Sequence, residues 1–248
     1  MLAELSFAYG RSMPAYEADI AAVAALMADR ARAAMLTALL DGRPLAAGEL
    51  ARVAGVTAQT ASAHLAKLRE GGLITVVKQG RHRYFRLQGH EVAHVIEALG
   101  QISPRIEVRS LKQSKQAAAL QEARTCYDHL AGQAGAAFFA ALLDGGLVES
   151  DGNEPYEESS YEVTAKGEER IHDLEIDLAR LRAARRRFAG HCLDWTERRP
   201  HLNGALGAAL TGRMIEMGWF VRGRARRSLL LTDDGRTGLQ DVFGCVVP

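Results

Sequence analysis

Along the first hundred positions, apolar residues recur at helical spacing and then switch to short strand-like runs. Residues 15–28 carry Ile20, Val23 and Met27 at that spacing; residues 30–40 carry Met35, Leu36, Leu39 and Leu40 before Asp41-Gly42-Arg43-Pro44 breaks the pattern. A short helix is predicted over 47–53, with Leu50 and Val53 three apart, and Gly55 supplies the tight turn of a helix-turn-helix. Thr57 is placed to cap the next helix, since its hydroxyl can accept from an orphan N–H two or three residues on. That helix runs to about Glu70, with Ala61, Leu65 and Leu68 as its buried stripe and Gln59, Thr60, Ser62, His64 and Lys67 on the other side. Gly71-Gly72 ends it. Residues 73–77 and 83–87 then read as a hairpin with the basic tip Lys78-Gln79-Gly80-Arg81-His82. A last helix over 90–100 carries Val92, Val95, Ile96 and Leu99, and Ser103-Pro104 marks a break. Residues 1–14 are a weakly patterned arm, and 105–122 a polar linker running into a helix.

The second half contains an internal repeat. Cys126-Tyr127-Asp128-His129-Leu130-Ala131-Gly132 returns as Cys192-Leu193-Asp194, an insertion at 195–200, then His201-Leu202-Asn203-Gly204. Each copy continues into an amphipathic helix ended by a glycine (Gly146, Gly218), a strand (147–149, 219–222), a second strand and a Thr-x-x-Gly helix start at Thr164 or Thr232. The order helix, strand, strand, helix matches half of a winged helix, so two related lobes are expected about a pseudo-two-fold axis. Residues 168–189 between them read as one long helix, with Ile171, Leu174, Leu178 and Leu181 as its stripe and arginines at its end.

Composition narrows the class. The 248 residues leave room for two small domains, and 48% hydrophobic content suffices for packed cores. Net charge is only +1, so nucleic-acid binding must rest on local charge: residues 78–86 hold Lys78, Arg81, Arg83 and Arg86 and no acid. Three cysteines suggest no disulfide framework and a reducing compartment. No apolar run is long enough to span a membrane, so a cytoplasmic protein is expected.

The 47–87 stretch carries chemistry suited to DNA. Short hydrogen-bonding side chains on an outward helix face can reach base edges in the major groove, and a basic hairpin tip suits neighbouring phosphates. Thr57, Gln59, Thr60, Ser62, Ala63, His64 and Lys67 are the candidate helix contacts, with Lys78, Arg81, His82 and Arg83 in the wing.

The run from His64 to Ile74 (His-Leu-Ala-Lys-Leu-Arg-Glu-Gly-Gly-Leu-Ile), followed by Gly80-Arg81-His82-Arg83-Tyr84-Phe85-Arg86-Leu87, closely resembles the ArsR family of winged-helix transcriptional regulators. The resemblance covers residues 16–101. It implies a homodimer, built by helices from both ends of the domain, that binds a pseudo-palindromic operator and usually represses. The second half resembles the C-terminal extension of a subgroup of these regulators through Arg124–Gly132 and Cys192–Leu202. The resemblance assigns no ligand.

The expected fold is therefore mainly α with small β wings (α+β), a winged helix-turn-helix over 1–103 followed by tandem winged-helix-like lobes over 104–248. Cys126, Asp128 and His129 lie within what reads as one helical turn, and His191, Cys192 and Asp194 do the same in the second copy, with His201 nearby. Cys and His suit a transition metal, and a pseudo-symmetric pair of clusters could meet at one site, where a small-molecule effector is the other option. The same repeat can equally be packing and capping, or a redox thiol pair. The family's thiolate site on the first helix of the helix-turn-helix would need cysteines near Ala46-Ala47-Gly48, where none occurs. On the last helix, His90 and His94 stand at i, i+4 with Glu97 nearby, a weaker metal candidate lacking the family's Asp-x-His opening. Arg182–Arg187 reads as a solvated helix end more than an anion site, and Arg222–Arg227 as a basic loop able to add DNA contacts, whereas acidic residues 151–158 would be repelled by DNA. The leading expectation is a homodimeric, effector-tuned repressor. The alternatives are a Cys/His-dependent enzyme, disfavoured by the lack of an activating triad, and a protein-interaction module.

Overall fold

The computed structural model describes residues 18–104, 110–151 and 159–248. The expected N-terminal arm, the start of the first helix, residues 105–109 of the linker and most of the acidic stretch lie outside the described residues.

The N-terminal half consists of α1 (Ile20–Met27), α2 (Arg30–Leu39), β1 (Leu45–Ala46), α3 (Ala47–Ala54), α4 (Ala58–Glu70), β2 (Ile74–Gln79), β3 (His82–Leu87) and α5 (His90–Ile102). Asp29 caps α2 by accepting from the Arg32 N–H at 2.9 Å, and Thr57 caps α4 from the Thr60 N–H at 3.2 Å. Gly55 ends α3 at φ 66°, a left-handed conformation cheap only for glycine, and this sets the turn into α4. The three-stranded sheet has the antiparallel order β1-β3-β2, with Ile74 opposite Leu87 and Gln79 opposite His82. Met35, Leu36, Leu39, Leu50, Ala61, Leu65, Leu68, Ile74 and Leu87 close around one core. Val53 departs from its expected place: it is 39% exposed, because α3 turns Leu50 and Ala51 inward instead.

After α6 (Leu111–Glu122), the repeat takes shape twice. One copy is β4 (Arg124–Cys126), β5 (His129–Ala131), α7 (Gly132–Asp144), β6 (Val148–Ser150), β7 (Tyr161–Val163) and α8 (Ala165–His172). After the short α9 (Leu178–Arg182), the other is β8 (Gly190–Leu193), β9 (Pro200–Asn203), α10 (Gly204–Glu216), β10 (Phe220–Arg222), β11 (Leu229–Leu231) and α11 (Asp233–Phe243). The copies interleave: α7 packs on β9 and α10 on β5. One apolar core spans both, including Phe138, Phe139, Leu206, Met214, Phe220 and Phe243. The Thr-x-x-Gly starts have a common cause. Thr164 and Thr232 accept from the Gly167 and Gly235 N–H groups, and a Cβ on either glycine would collide with the carbonyl oxygen of the residue just before a strand, Leu147 or Trp219.

Four expectations need correction. Cys126, Asp128 and His129 belong to a β-hairpin and not to a helical turn, and Cys192 lies on the equivalent hairpin. The long helix expected over 168–189 is two short ones: α8 ends at His172, Glu175 adopts φ 55°, and α9 stops at Arg182. The arginines beyond are therefore no solvated helix end, since Arg186 binds Asp128 and Arg187 reaches the Ser160 hydroxyl. The basic loop at 222–227 does not stand free for DNA as a unit, because Arg222 pairs with Asp41 at 2.9 Å and Arg227 with the buried Glu97.

Candidate functional site

Two arrangements carry chemistry, and the first is the outer face of the helix-turn-helix. With Ala61, Leu65 and Leu68 turned inward, α4 leaves Gln59, Thr60, Ser62, Ala63 and Lys67 exposed. Thr57 is engaged as cap, and the Ser62 hydroxyl donates to the Ala58 carbonyl at 2.9 Å. His64 is half-buried, 3.6 Å from Asp29. Beside this face, the β2–β3 hairpin exposes Lys78, Arg81, His82 and Arg83. The cationic tip and the polar helix face thus lie on neighbouring elements of one core.

The second arrangement is buried between the two C-terminal hairpins. In β4–β5, Cys126 stands opposite His129; in β8–β9, Cys192 stands opposite His201. Because directly opposed residues on a strand pair project to the same face, each hairpin offers one sulfur and one imidazole together. Interleaving brings the pairs into contact: the four ligand atoms lie within 4.8 Å of one another. The imidazoles stack with centroids 5.3 Å apart. Each helix starts tightly against its own hairpin, since a Cβ on Gly135 would lie 2.5 Å from the Leu130 carbonyl oxygen and one on Gly207 2.7 Å from that of Leu202.

The surroundings polarise the cluster. His129 Nδ1 lies 3.2 Å from Asp128, whose carboxylate is held by the Arg186 guanidinium. Burial works against protonation of His129, but Asp128 and the Cys192 sulfur outweigh it and raise its pKa to about 9. Burial and the neighbouring His129 lower His201 to about 3. The Cys126 thiol draws Cys192 well below the ordinary thiol range against the effect of burial, and Cys192 together with burial pushes Cys126 up. Asn203 donates to the Cys192 sulfur at 3.0 Å. Among the described residues, His129 Nε2 and both ring nitrogens of His201 are buried without a hydrogen-bond partner.

The other sequence candidates go elsewhere. Asp194 accepts from Arg124, Gly132, Thr196 and Glu197, so it ties the hairpins together and caps a turn instead of a helix. His191 meets the Tyr161 hydroxyl at 3.1 Å. Glu97 faces Arg227, His90 lies 3.4 Å from Glu91, and His94 reaches across to Cys192 at 3.9 Å. The buried Arg124, the Arg186 clamp, Asn203 and Tyr127 were missed by sequence reasoning. The only signal for Arg124 and Tyr127 is that both sit in the stretch Arg124–Gly132 that carries the resemblance of the second half. A cavity of about 550 Å³ between α5 and the hairpins is lined by His90, His94, Cys126, His129 and Cys192 among others.

The halves are joined close to the cluster. The Tyr127 N–H donates to the Leu40 carbonyl at 3.0 Å, and the Tyr127 ring packs against the N-terminal core.

The family profile described as "Helix-turn-helix domain" matches residues 27–77. An uncharacterized HTH-type transcriptional regulator of Bacillus subtilis (strain 168), YdfF, is 43% identical over 222 residues, covering 90% of this chain and 96% of that protein. Among solved structures, HlyU from Vibrio cholerae N16961 is 32% identical over 33% of this chain and 88% of its own, with a TM-score of 0.31. The winged helix-turn-helix domain of Mb0332 from Mycobacterium bovis, described as homodimeric and as a possible ArsR-family regulator, is 28% identical over 36% of this chain and 87% of its own, also at 0.31. With a relative this similar over nine-tenths of this chain, and with a winged helix-turn-helix formed by its N-terminal half, the chain belongs to the HTH-type transcriptional regulators.

Proposed function

We propose that this regulator acts as a homodimeric repressor on a pseudo-palindromic operator and is tuned by an effector held in its C-terminal half. The carrying observation is the exposed polar face of α4 beside a wing tip of four basic side chains. Gln59 and Thr60 read base edges, with Ser62, Ala63, His64 and Lys67 along the same helix, while Arg81, Lys78, His82 and Arg83 hold backbone phosphates. Support for the dimer comes from apolar side chains left outside the N-terminal core: Ile20 and Val23 on α1, and Val95, Leu99 and Ile102 on α5, are between 38% and 82% exposed. Repression follows from the family resemblance. The effector reading draws on the Cys/His cluster and on the ties that link it to α5 and α2.

The experiment is an anisotropy titration of the full chain against the DNA upstream of its own gene, at two salt concentrations, with unrelated DNA as competitor. Selective, salt-sensitive binding that is saturated by a dimer is expected. Equal affinity for unrelated DNA would remove the sequence-specific reading, and no affinity for either would favour a protein-binding role for the winged helix.

A further inference from the structure

We propose that Cys126, His129, Cys192 and His201 form a single four-ligand zinc site shared between the two C-terminal hairpins. The proposal deepens the effector reading above, and it rests on that reading only for the regulatory step.

The donor set fits the ion. Two sulfurs and two imidazole nitrogens within 4.8 Å of one another need to contract by only about an ångström to reach the roughly 3.3–3.8 Å edges of a tetrahedral zinc site. Hard cations such as magnesium or calcium prefer oxygen ligands, and none of the four ligand atoms is oxygen.

The cluster is also incomplete as plain packing. His129 and His201 are 5% and 1% exposed, yet three of their four ring nitrogens lack a hydrogen-bond partner. A buried polar atom without a partner is costly, and a metal–nitrogen bond removes that cost. Both rings have a carboxylate behind Nδ1, Asp128 at 3.2 Å and Asp194 at 3.7 Å, and both acids come from the repeated Cys-x-Asp. At His129 the Asp128 hydrogen bond is the outer-shell contact that fixes a ligating imidazole with Nε2 toward the metal, while Asp194 stands beyond hydrogen-bond reach of His201.

Charge closes as well. Binding releases a proton to solvent from each cysteine that enters as thiol and from His129 where it enters as imidazolium, so two thiolates and two neutral imidazoles balance the doubly charged ion and these five groups carry no net charge. The adjoining cavity offers a route in. Occupancy reaches the DNA-binding half through Cys192, whose sulfur also faces His94 of α5.

The test uses the reduced full-length chain. Elemental analysis after purification without chelator should give one zinc per chain, and cobalt substitution should give tetrahedral d–d bands with thiolate-to-metal charge transfer. Cys126→Ser and Cys192→Ser should abolish both signals, whereas Cys245→Ser, in a cysteine outside the cluster, should keep them. Asp128→Asn, which leaves all four ligands in place, should weaken zinc binding about 10–100-fold and so keeps the test sharp if a cysteine variant misfolds. A folded, reduced chain that takes up neither zinc nor cobalt overturns the site. Zinc and chelated forms should differ roughly 5–150-fold in affinity for the upstream DNA. Equal affinities with zinc bound overturn the effector role alone, while failure of both forms to bind DNA overturns the regulator reading and leaves the metal content to decide the site.

Discussion

Asp194→Ala removes the residue that ties the two C-terminal hairpins together. Its carboxylate is fully buried and accepts from the Arg124 guanidinium at 2.9 Å, the Gly132 N–H at 2.7 Å, the Thr196 N–H at 2.8 Å and the Thr196 hydroxyl at 2.6 Å. Without it, the Arg124 guanidinium, itself 0% exposed, keeps the Leu120 carbonyl and the Thr196 hydroxyl as its oxygen partners among the described residues. Removing one member of a buried ion pair costs about 3–5 kcal/mol, because the remaining charge stays in a medium that solvates it poorly. For a chain of this size that is a fall of roughly 6–20 °C in melting temperature. Urea titrations followed by circular dichroism measure the loss directly. Pairing the variant with Arg124→Met should recover part of it, since the stranded charge is then gone. The acid side gives an independent check. Burial pushes the Asp194 pKa up, but Arg124, Thr196 and the Gly132 N–H outweigh it and hold the group below the ordinary carboxylate range. A depressed folded pKa contributes stability that is complete above the unfolded value of about 3.9 and is lost as pH falls. The wild-type advantage over Asp194→Ala should therefore be full at neutral pH and shrink below about pH 4. A loss under about 1 kcal/mol at pH 7, or no rescue by Arg124→Met, would refute the anchoring role.

On the DNA side, Arg81→Ala should weaken binding to all sequences and lower the salt slope by about one, while Gln59→Ala should cost about 1–3 kcal/mol on the operator alone; anisotropy at several salt concentrations separates the two. Leu99→Glu, on the exposed α5 face, should give a folded monomer by sedimentation that binds operator more weakly, with stability changed by no more than about 0.5 kcal/mol. In metal-free protein the raised His129 pKa of about 9 contributes stability that is full below the unfolded value near 6.5 and is lost as pH rises through 9, so urea midpoints should fall over that window and Asp128→Asn should flatten the fall.

The N-terminal elements were legible because local chemistry and tertiary packing agree there. Ala61, Leu65 and Leu68 are 0–2% exposed, Thr57 caps α4, and Gly55 occupies the left-handed turn that its identity announces. The C-terminal half was legible as a repeat but misread at its turns, and the physical reason is shared. Tyr127, Glu175, Arg198 and Arg227 all have positive φ, between 53° and 71°, a conformation that side chains other than glycine or asparagine seldom signal. At Tyr127 this made the Cys-x-Asp-His spacing look like a helical turn when it is a hairpin. At Glu175 it broke a helix whose stripe, Ile171 and Leu174, is indeed buried. The convergence of Cys126 and His129 with Cys192 and His201 was one of three open readings. Spacing alone did not choose, because the approach depends on each helix crossing to the other hairpin.

That crossing has an evolutionary consequence. Two identical chains exchanging helices this way would place one Cys-His pair from each on a true symmetry axis, and every substitution would appear at both related positions. Fusion into a single chain lifts that obligation. Arg124 can then form an ion pair where the matching position, Gly190, has no side chain at all. Thr211 can serve the Leu130 N–H where its counterpart Phe139 packs edge-on against Tyr161. The halves were thereby free to diverge at such positions, while the centre still presents the same two side chains from both. Covalent linkage also makes their effective concentration independent of expression level, so the central cluster persists however dilute the chain.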